Sequence, residues 1–448
     1  MKSTIRCCSI FILLLVAIIL TACYKRPNDL TDSFDSTETT EPTVLDPIDE
    51  AIEEEMEAAF RFFWEQANTN PNSPGYGLIR DRYPNNSTLA SIASVGFGLT
   101  AIPIGIEKGW ITYEEGEERA LGTLKTIDKL EHYHGFYYHF LNIHTGKRAG
   151  DSEVSSIDTA LMLAGVLFVG EYFGGEIEFL AEKIYEKTDW NWFVDPNRKM
   201  FYMSYQPEKG FEGYWDFYAE QLIMYILGAG SPKEEHRMDP EVYYSFIRSK
   251  RSYGKGEPFI HSWFGSIFTY QFSHAWLDFR NIEDRRGVNW FENSVHATIA
   301  HRQYAIDNPF RFQTFNENSW GLTACDGPNG YSGKYGAPPS GYDDASHIND
   351  GTVATAGALG SIVFLVDDVK DVIAYFETMD NLKGDYGYKD SYNFEGNEPW
   401  ISPDVIGIDK GIILLMFQNY QNEFVWKYFM DIKWVQDGLR RLEFKEVS

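Results

Sequence analysis

Residues 150–165 read GDSEVSSIDTALMLAG, and this stretch decides the fold that we expect. It opens as a polar loop with Asp151 and Glu153 and continues as a run of small apolar residues. Ser155 and Asp158 have the Ser-x-x-Asp spacing of an N-terminal capping box, so a helix should begin here. Because the following turns are apolar on every side, the helix should be buried. The stretch therefore predicts a buried helix whose N-terminal end holds carboxylates.

Three later stretches repeat this arrangement of an acid before an apolar helix. They read YWDFYAE-QLIMYILGAG, SHIND-GTVATAGALG and SPDVIGID-KGIILLMF, and they carry Glu220, Asp350 and Asp409. In a ring of parallel buried helices, these acids and Asp158 would meet at one end. The helix dipole alone favours an acid in the first turn by about 0.3–1 kcal/mol, so each acid taken singly is also explained as a cap.

Apolar and amphipathic helical patterns alternate along the chain. The apolar patterns cover 89–105, 159–173, 219–229, 262–277, 353–365 and 408–418, and the amphipathic patterns cover 52–64, 112–130, 175–187, 240–249, 290–306 and 366–379. Short strand patterns at 135–141 and 200–205 indicate hairpins in loops. About six helices of each kind predict an all-α (α/α)6 toroid, with an inner ring inside an outer ring. A helical solenoid would need a fixed short repeat, which we do not find; the periodicity leaves a closed ring and an open arc equally possible.

The first residues have the features of an export signal. Lys2 and Arg6 precede an apolar run that is too short to span a bilayer comfortably, and the run ends in Leu-Thr-Ala-Cys23. This ending is typical of a bacterial lipobox, in which Cys23 becomes the lipidated N-terminus; a plain secretory signal is the alternative. We therefore predict a signal peptide at 1–22, a disordered acidic Ser/Thr/Pro tether at 23–49, and one catalytic domain at 50–448. The protein would be anchored by its lipid at the bacterial envelope.

Composition narrows the possible partners. The net charge of −27 argues against binding to nucleic acid or to anionic lipid headgroups. Aromatic residues make up 16% of the chain and cluster beside carboxylates, a combination that suits sugars. The histidine run at 132–144 and the acids around Asp326 lack the spacing of metal ligands, so we expect no metal and no other cofactor. We also expect a monomer.

Paired carboxylates beside sugar-binding aromatics indicate cleavage of a glycosidic bond, with one carboxyl group protonated and the other ionised. Glu220 follows the aromatic segment YWDFYA and precedes Leu222, so its surroundings should raise its pKa, and we predict that it is the general acid. Glu153, Asp158 and Asp409 are the candidates for the base. Five of the candidate substrate-binding residues carry an aromatic or imidazole ring, and the sixth is an acid. They are Tyr138, His139, Trp215, Tyr218, Trp320 and Asp350.

Several longer strings resemble a known family. ASIASVGFGLTAIPIGIEKGW, HGFYYHFLNIHTGKR, SEVSSIDTALMLAGVLF, WGLTACDGP and GIDKGIILLMFQNY are similar to the bacterial glycoamylase-like domain, which overlaps glycoside hydrolase family 144. The resemblance covers about residues 52–432. It implies an (α/α)6 barrel and an inverting hydrolase of β-1,2-linked glucose chains, with matching positions at Glu153, Asp158, Glu220 and Asp409. Around Glu220 this chain has FYAEQ where the family reads roughly GYNEA, so the shape of its subsites should differ.

Two other functions fit the same residues. A non-catalytic glycan-binding lipoprotein would need the aromatic clusters but no working pair of carboxyl groups. An α-1,4 glucoamylase on the same fold would differ only in its substrate.

Overall fold

The structure, a computed structural model, describes residues 46–341 and 345–447. The predicted signal peptide, Cys23 and nearly all of the predicted tether lie outside this range. The tether prediction was too long at its C-terminal end, because the first helix begins at Pro47. The Asp46 side chain caps that helix by accepting a hydrogen bond from the Ile48 N–H at 2.9 Å, and Pro47 occupies a first-turn position where its missing N–H costs nothing.

Helices dominate the described part of the chain. They are α1 (Pro47–Glu65), α2 (Ile92–Glu107), α3 (Tyr113–Ile127), α4 (Ser156–Phe173), α5 (Gly175–Glu186), α6 (Leu222–Gly230), α7 (Trp290–Asp307), α8 (Thr355–Leu359), α9 (Val366–Phe376), α10 (Gly407–Asn422), α11 (Phe424–Asp431) and α12 (Lys433–Arg441). Short 3-10 helices cover Trp190–Phe193, Glu234–His236, Pro240–Val242, Ile267–Tyr270 and Phe272–Ala275.

The strands are short and belong to small separate sheets. They are β1 (Arg82–Tyr83), β2 (Leu89–Ser91), β3 (His132–Tyr133), β4 (Phe136–Tyr137), β5 (Phe140–Asn142), β6 (Val154–Ser155), β7 (Val194–Asp195), β8 (Met200–Gln206), β9 (Gly210–Tyr214), β10 (Lys250–Arg251), β11 (Phe259–Ile260), β12 (Ile282–Glu283), β13 (Cys325–Gly327), β14 (Gly330–Ser332), β15 (Val353–Ala354), β16 (Lys383–Gly384), β17 (Gly387–Tyr388), β18 (Ser391–Asn393), β19 (Trp400–Ile401), β20 (Val405–Ile406) and β21 (Lys445–Glu446).

The apolar helices form the core, as their sequences predict. Nearly every residue of α2, α4, α6, α8 and α10 is buried, whereas α1, α3, α5 and α9 bury one face. Among the described helices, α4 alone is long and apolar enough to cross a membrane by length and composition. Its most apolar window is 78% buried inside the protein, which is typical of a core helix.

The core helices follow one another as neighbours in the order α6, α4, α2, α10 and α8. Helices α2 and α4 pack closely where Gly96 and Gly165 face each other. A Cβ added at Gly165 would lie 2.0 Å from the Gly96 carbonyl oxygen, so a larger residue would force the two backbones apart. These glycines set the distance between the two helices.

Four of the core helices share a local pattern at their N-terminal ends: a short strand leads directly into α2, α4, α8 and α10. Each of these strands pairs with another antiparallel strand, as in the pairs β2–β5, β6–β8, β15–β18 and β20–β1. The pairing fixes the backbone just before each helix. The loops that carry polar side chains are therefore held at the helix N-termini.

The apolar segment 262–277 is not the continuous helix that its composition predicts. It contains two 3-10 turns, and the positive φ of Gly265 (64°) interrupts any helix before them. Polar side chains bond to neighbouring backbone instead: Gln271 Nε2 donates to the Gly357 carbonyl at 2.9 Å, and Ser273 Oγ donates to the Glu220 carbonyl at 2.6 Å. The segment thus contacts both α8 and the start of α6.

Two further helix predictions were too long. In 240–249, only Pro240–Val242 is helical. The Ser245 hydroxyl donates a hydrogen bond to the Val242 carbonyl at 2.7 Å, and the two intervening residues are tyrosines, which favour helices less than alanine or leucine does. In 353–365, the first two residues form β15, and α8 stops at Leu359 before Gly360. The hairpin prediction at 200–205 agrees with β8 and β9.

Candidate active site

A histidine lies between two of the predicted acids at the start of α4. His139 Nδ1 is 3.0 Å from Glu153 Oε1, and Nε2 is 3.6 Å from Asp158 Oδ1. Ser155 caps the helix by accepting from the Asp158 N–H at 3.2 Å, and its hydroxyl donates to Asp158 Oδ2 at 2.5 Å. The backbone N–H of His139 also donates a hydrogen bond to the backbone carbonyl of Glu153 at 2.9 Å. The predicted capping interaction is therefore present, and it fixes Asp158 against the imidazole ring.

The two acids keep this histidine charged. Burial lowers the pKa of His139, but the charges of Asp158 and Glu153 outweigh that effect, with a smaller contribution from Asp81, and raise it to about 9. In turn, the hydrogen bond from His139 lowers the pKa of Glu153 against the opposing effect of burial. At neutral pH the group is an imidazolium held by two carboxylates.

Glu220 lies on a turn before α6, and the helix begins at Leu222, three residues later than the sequence predicts. The Gln221 side chain closes this turn. Its amide oxygen accepts from the Ala219 N–H at 2.6 Å, and its amide nitrogen donates to the Phe217 carbonyl at 2.7 Å. Glu220 therefore precedes the helix and faces a cavity of about 400 Å³.

Aromatic residues make up nearly half of the wall of the cavity beside Glu220. Its lining residues include Tyr214, Trp215, Phe217, Tyr218, Trp263, Phe264 and Phe268. Desolvation in these surroundings raises the pKa of Glu220 to about 7; its own backbone N–H opposes the shift, and the charge of Asp158 adds to it. A carboxyl group with this pKa is partly protonated at neutral pH, as a proton donor must be.

A second acidic cluster surrounds Arg82, the first residue of β1. Arg82 Nε lies 3.1 Å from Asp81 Oδ2, and Nη1 lies 3.0 Å from Asp326 Oδ1 and 3.4 Å from Asp404 Oδ2. Asp404 also accepts hydrogen bonds from the backbone and the side chain of Asn85. One guanidinium group thus holds three carboxylates that come from distant parts of the chain.

Asp409 lies beneath this cluster, in the first turn of α10, and is paired with Asp390. Both carboxyl groups are buried. Burial raises the pKa of Asp409 well above its usual value, and Asp390 raises it further; burial and the charge of Asp326 raise the pKa of Asp390 to about 7. Asp390 Oδ1 accepts no conventional hydrogen bond, which a proton shared with Asp409 explains. Burial and mutual repulsion therefore favour protonation of this pair more than in two isolated aspartates.

These groups act on one another electrostatically. Asp81 pairs with Arg82, and its charge also acts on His139. Asp158, which contacts His139, acts on Glu220. Electrostatic interactions through Asp81 and Arg82, which were not predicted, therefore link the four predicted catalytic residues. These four are Glu153, Asp158, Glu220 and Asp409.

The predicted substrate-binding residues divide into two groups. Trp215 and Tyr218 contribute to the wall of the cavity beside Glu220, although both side chains are almost completely buried, and His139 lies between the acids described above. Trp320 is completely buried and offers no ring face to a ligand in this conformation. Tyr138 is also buried, beneath Arg148. Asp350 is held elsewhere, by the Tyr335 hydroxyl at 2.8 Å and the Thr352 N–H at 3.0 Å.

Sequence reasoning missed most of the Arg82 cluster. Asp404 stands five residues before Asp409 in SPDVIGID and could have been noticed there, and Asp326 was considered only as a metal ligand. Asp390 has no local signal, since it comes from the loop before β18. Within residues 46–341 and 345–447, no group of three or more histidine, cysteine or acidic side chains is arranged to hold a metal ion.

Comparison with known proteins adds independent information. Residues 212–433 match the Glycoamylase family model, described as "Putative glucoamylase". A solved structure from Bacteroides uniformis ATCC 8492 with the same description is 30% identical, with a TM-score of 0.79, and the match covers 90% of this chain and 99% of that one. An endo-β-1,2-glucanase structure from Chitinophaga pinensis is 28% identical, with the same TM-score and coverage.

A longer relative comes from Parabacteroides distasonis. It is named an exo β-1,2-glucooligosaccharide sophorohydrolase that acts at the non-reducing end, and it is 27% identical over 460 residues. The match covers 93% of this chain but only 60% of that relative, so the relative contains a substantial part without a counterpart here.

Proposed function

This chain belongs to the glycoamylase family, and from that premise we propose that it is a glycoside hydrolase that cleaves β-1,2-linked glucan. The named relatives that act on β-1,2-glucans support the choice of linkage. Resemblance alone does not specify which residues react, so the assignment depends on the geometry around Glu220.

One observation carries the proposal. Glu220 borders an aromatic cavity, and desolvation there raises its pKa to about 7. Hydrolysis of a glycosidic bond needs one carboxyl group that is protonated and another that is ionised. In our proposal Glu220 donates its proton to the leaving oxygen as the bond breaks.

We propose Asp409, with its partner Asp390, as the general base. Burial and the charge of Asp390 raise the proton affinity of Asp409, so its ionised form takes up a proton more readily than an ordinary aspartate does. Glu153 is less suited, because its hydrogen bond with His139 lowers its pKa. We propose an inverting mechanism, as the resemblance to glycoside hydrolase family 144 implies.

We further propose that the core closes into an (α/α)6 toroid, with residues 267–275 as the sixth inner segment between α6 and α8. The bonds from Gln271 to Gly357 and from Ser273 to Glu220 support this closure. An experimental structure with a solvent-filled gap between α6 and α8 would contradict it.

The anchoring proposal concerns the N-terminus. We propose that Cys23 is lipidated and holds the enzyme at the bacterial envelope, as the Leu-Thr-Ala-Cys sequence indicates. Mass spectrometry of the N-terminal peptide from a bacterial host would test this. An unmodified Cys23 or a different cleavage site would refute it.

The experiment for the activity is a substrate panel. The purified protein is incubated with β-1,2-glucan, laminarin and starch, and released reducing ends are followed with time. We expect release from β-1,2-glucan. Release from starch alone would favour the α-1,4 glucoamylase that the family description suggests, and binding without release would favour a glycan-binding lipoprotein.

A further inference from the structure

Tyr331 lies at a hairpin above the Arg82 cluster. Strands β13 and β14 pair so that Asp326 is directly opposite Tyr331. Directly opposed residues point to the same face of a sheet, and on this face Asp326 binds Arg82 at 3.0 Å. The Tyr331 ring accordingly lies over the Arg82 guanidinium, and the Arg82 Cζ atom is 5.9 Å from the centroid of the ring.

Tyr331 combines exposure with deeply placed neighbours. The residue is 51% exposed, one of the most exposed large aromatic residues in the described part of the chain. Burial raises the pKa of Tyr331 well above its usual value, and the charges of Asp409 and Asp390 raise it further, so these acids act on its hydroxyl. No described residue forms a hydrogen bond with this hydroxyl. The side chain therefore offers an exposed ring and an unused hydrogen-bonding group beside the Arg82 cluster.

The chain after the hairpin is well anchored and leads to the other catalytic group. Gly333, two residues beyond Tyr331, lines the cavity beside Glu220. Ser266 Oγ donates to the Tyr335 carbonyl, and the Ala337 N–H donates to the Gly265 carbonyl at 3.0 Å. This anchored segment therefore connects Tyr331, which lies over Arg82, to the wall of the cavity beside Glu220.

We propose that Tyr331 is a substrate-binding residue that holds a glucose unit of the chain over Asp409. This inference rests on the proposed glucan hydrolysis and adds a specificity residue to it. The ring packs against the sugar's C–H face, and the hydroxyl forms a hydrogen bond with a sugar hydroxyl. With one ring face toward Arg82, the sugar binds to the exposed part of the residue.

Two substitutions separate the two contributions. Tyr331→Phe removes only the hydroxyl, and we expect the KM for β-1,2-gluco-oligosaccharides to rise about 3- to 10-fold, the effect of one lost neutral hydrogen bond. Tyr331→Ala also removes the ring and should raise KM by about 30-fold or more, with a smaller change in kcat. The matched control is Tyr113→Ala, an exposed tyrosine that packs on Phe173 from the outer helix α3 and should leave the kinetics unchanged.

Binding is measured separately from turnover. In a Glu220→Gln background, isothermal titration with the same oligosaccharides should give a weaker Kd for each Tyr331 variant by the same factors. Thermal unfolding checks each fold, and Tyr331→Phe carries the test if Tyr331→Ala does not fold. If the Tyr331 variants have the same Kd and KM as the protein that keeps Tyr331, and wild type hydrolyses the glucan, this inference alone is overturned. A wild-type protein that neither cleaves nor binds β-1,2-glucan would overturn the proposed function as well.

Discussion

The clearest quantitative consequence of the structure concerns His139 and the pH dependence of stability. The imidazole lies 3.0 Å from a Glu153 oxygen and 3.6 Å from an Asp158 oxygen, and only 28% of its side chain is exposed. His139→Gln keeps a polar side chain of similar length but cannot carry a charge. It leaves two carboxylates facing each other without the cation that separates them.

The sign of the effect follows from the two pKa values. The pKa of His139 is about 9 in the folded protein and near 6.5 in the unfolded chain, so the folded protein retains a proton that the unfolded chain releases between these values. The stabilisation by the charged histidine is therefore complete below about pH 6.5 and is lost as the pH rises to about 9. Each unit of difference between the folded and unfolded pKa values is worth about 1.4 kcal/mol, so the loss in free energy of unfolding is on the order of 3 kcal/mol.

Urea unfolding at several pH values between 6 and 9.5 measures this effect. Other groups titrate too, so the relevant quantity is the difference in free energy of unfolding between wild type and His139→Gln at each pH. We expect a large difference at pH 6 that shrinks by about 3 kcal/mol at pH 9.5. His144→Gln, at an exposed histidine, should show no comparable trend. A constant difference between wild type and His139→Gln across this range would refute the charged-histidine interpretation.

Two further predictions concern the proposed acid and the Arg82 cluster. Because Glu220 must be protonated to act and its pKa is about 7, kcat/KM on β-1,2-glucan should fall as the pH rises through about 7; a rate that stays flat to pH 9 would exclude this residue as the titrating acid. Arg82→Met removes the cation shared by Asp81, Asp326 and Asp404 and should lower the free energy of unfolding at pH 7 by about 3–5 kcal/mol, measured by urea denaturation. Arg285→Met, which removes two surface ion pairs, with Glu241 and Glu443, should cost much less, and equal losses would contradict the importance given to the cluster.

Local sequence rules predicted the features that depend on neighbouring residues. The spacing of Ser155 and Asp158 gave the start of α4, because a cap is a contact between residues three apart. The aromatic residues before Glu220 indicated a raised pKa, and burial in the cavity does raise it. The catalytic role of Glu220 remains a prediction.

Features that depend on contacts between distant segments were not predictable in this way. Asp390 pairs with Asp409 across the chain, and no spacing rule connects them. Segment 262–277 is apolar enough for a buried helix, but Gln271 and Ser273 bond to α8 and to the start of α6 rather than remaining within a helix. Apolar composition indicated that the segment is buried and left its backbone conformation undetermined.

The central claim is that Glu220 donates the proton in the hydrolysis of β-1,2-glucan. The most direct test is the rate of reducing-end release from β-1,2-glucan by wild type and by Glu220→Gln, with glucan binding measured for both. Gln has nearly the same shape but no acidic proton, so we expect binding to persist while turnover falls by about 10²- to 10⁴-fold. A Glu220→Gln variant that cleaves the glucan at the wild-type rate would contradict the claim.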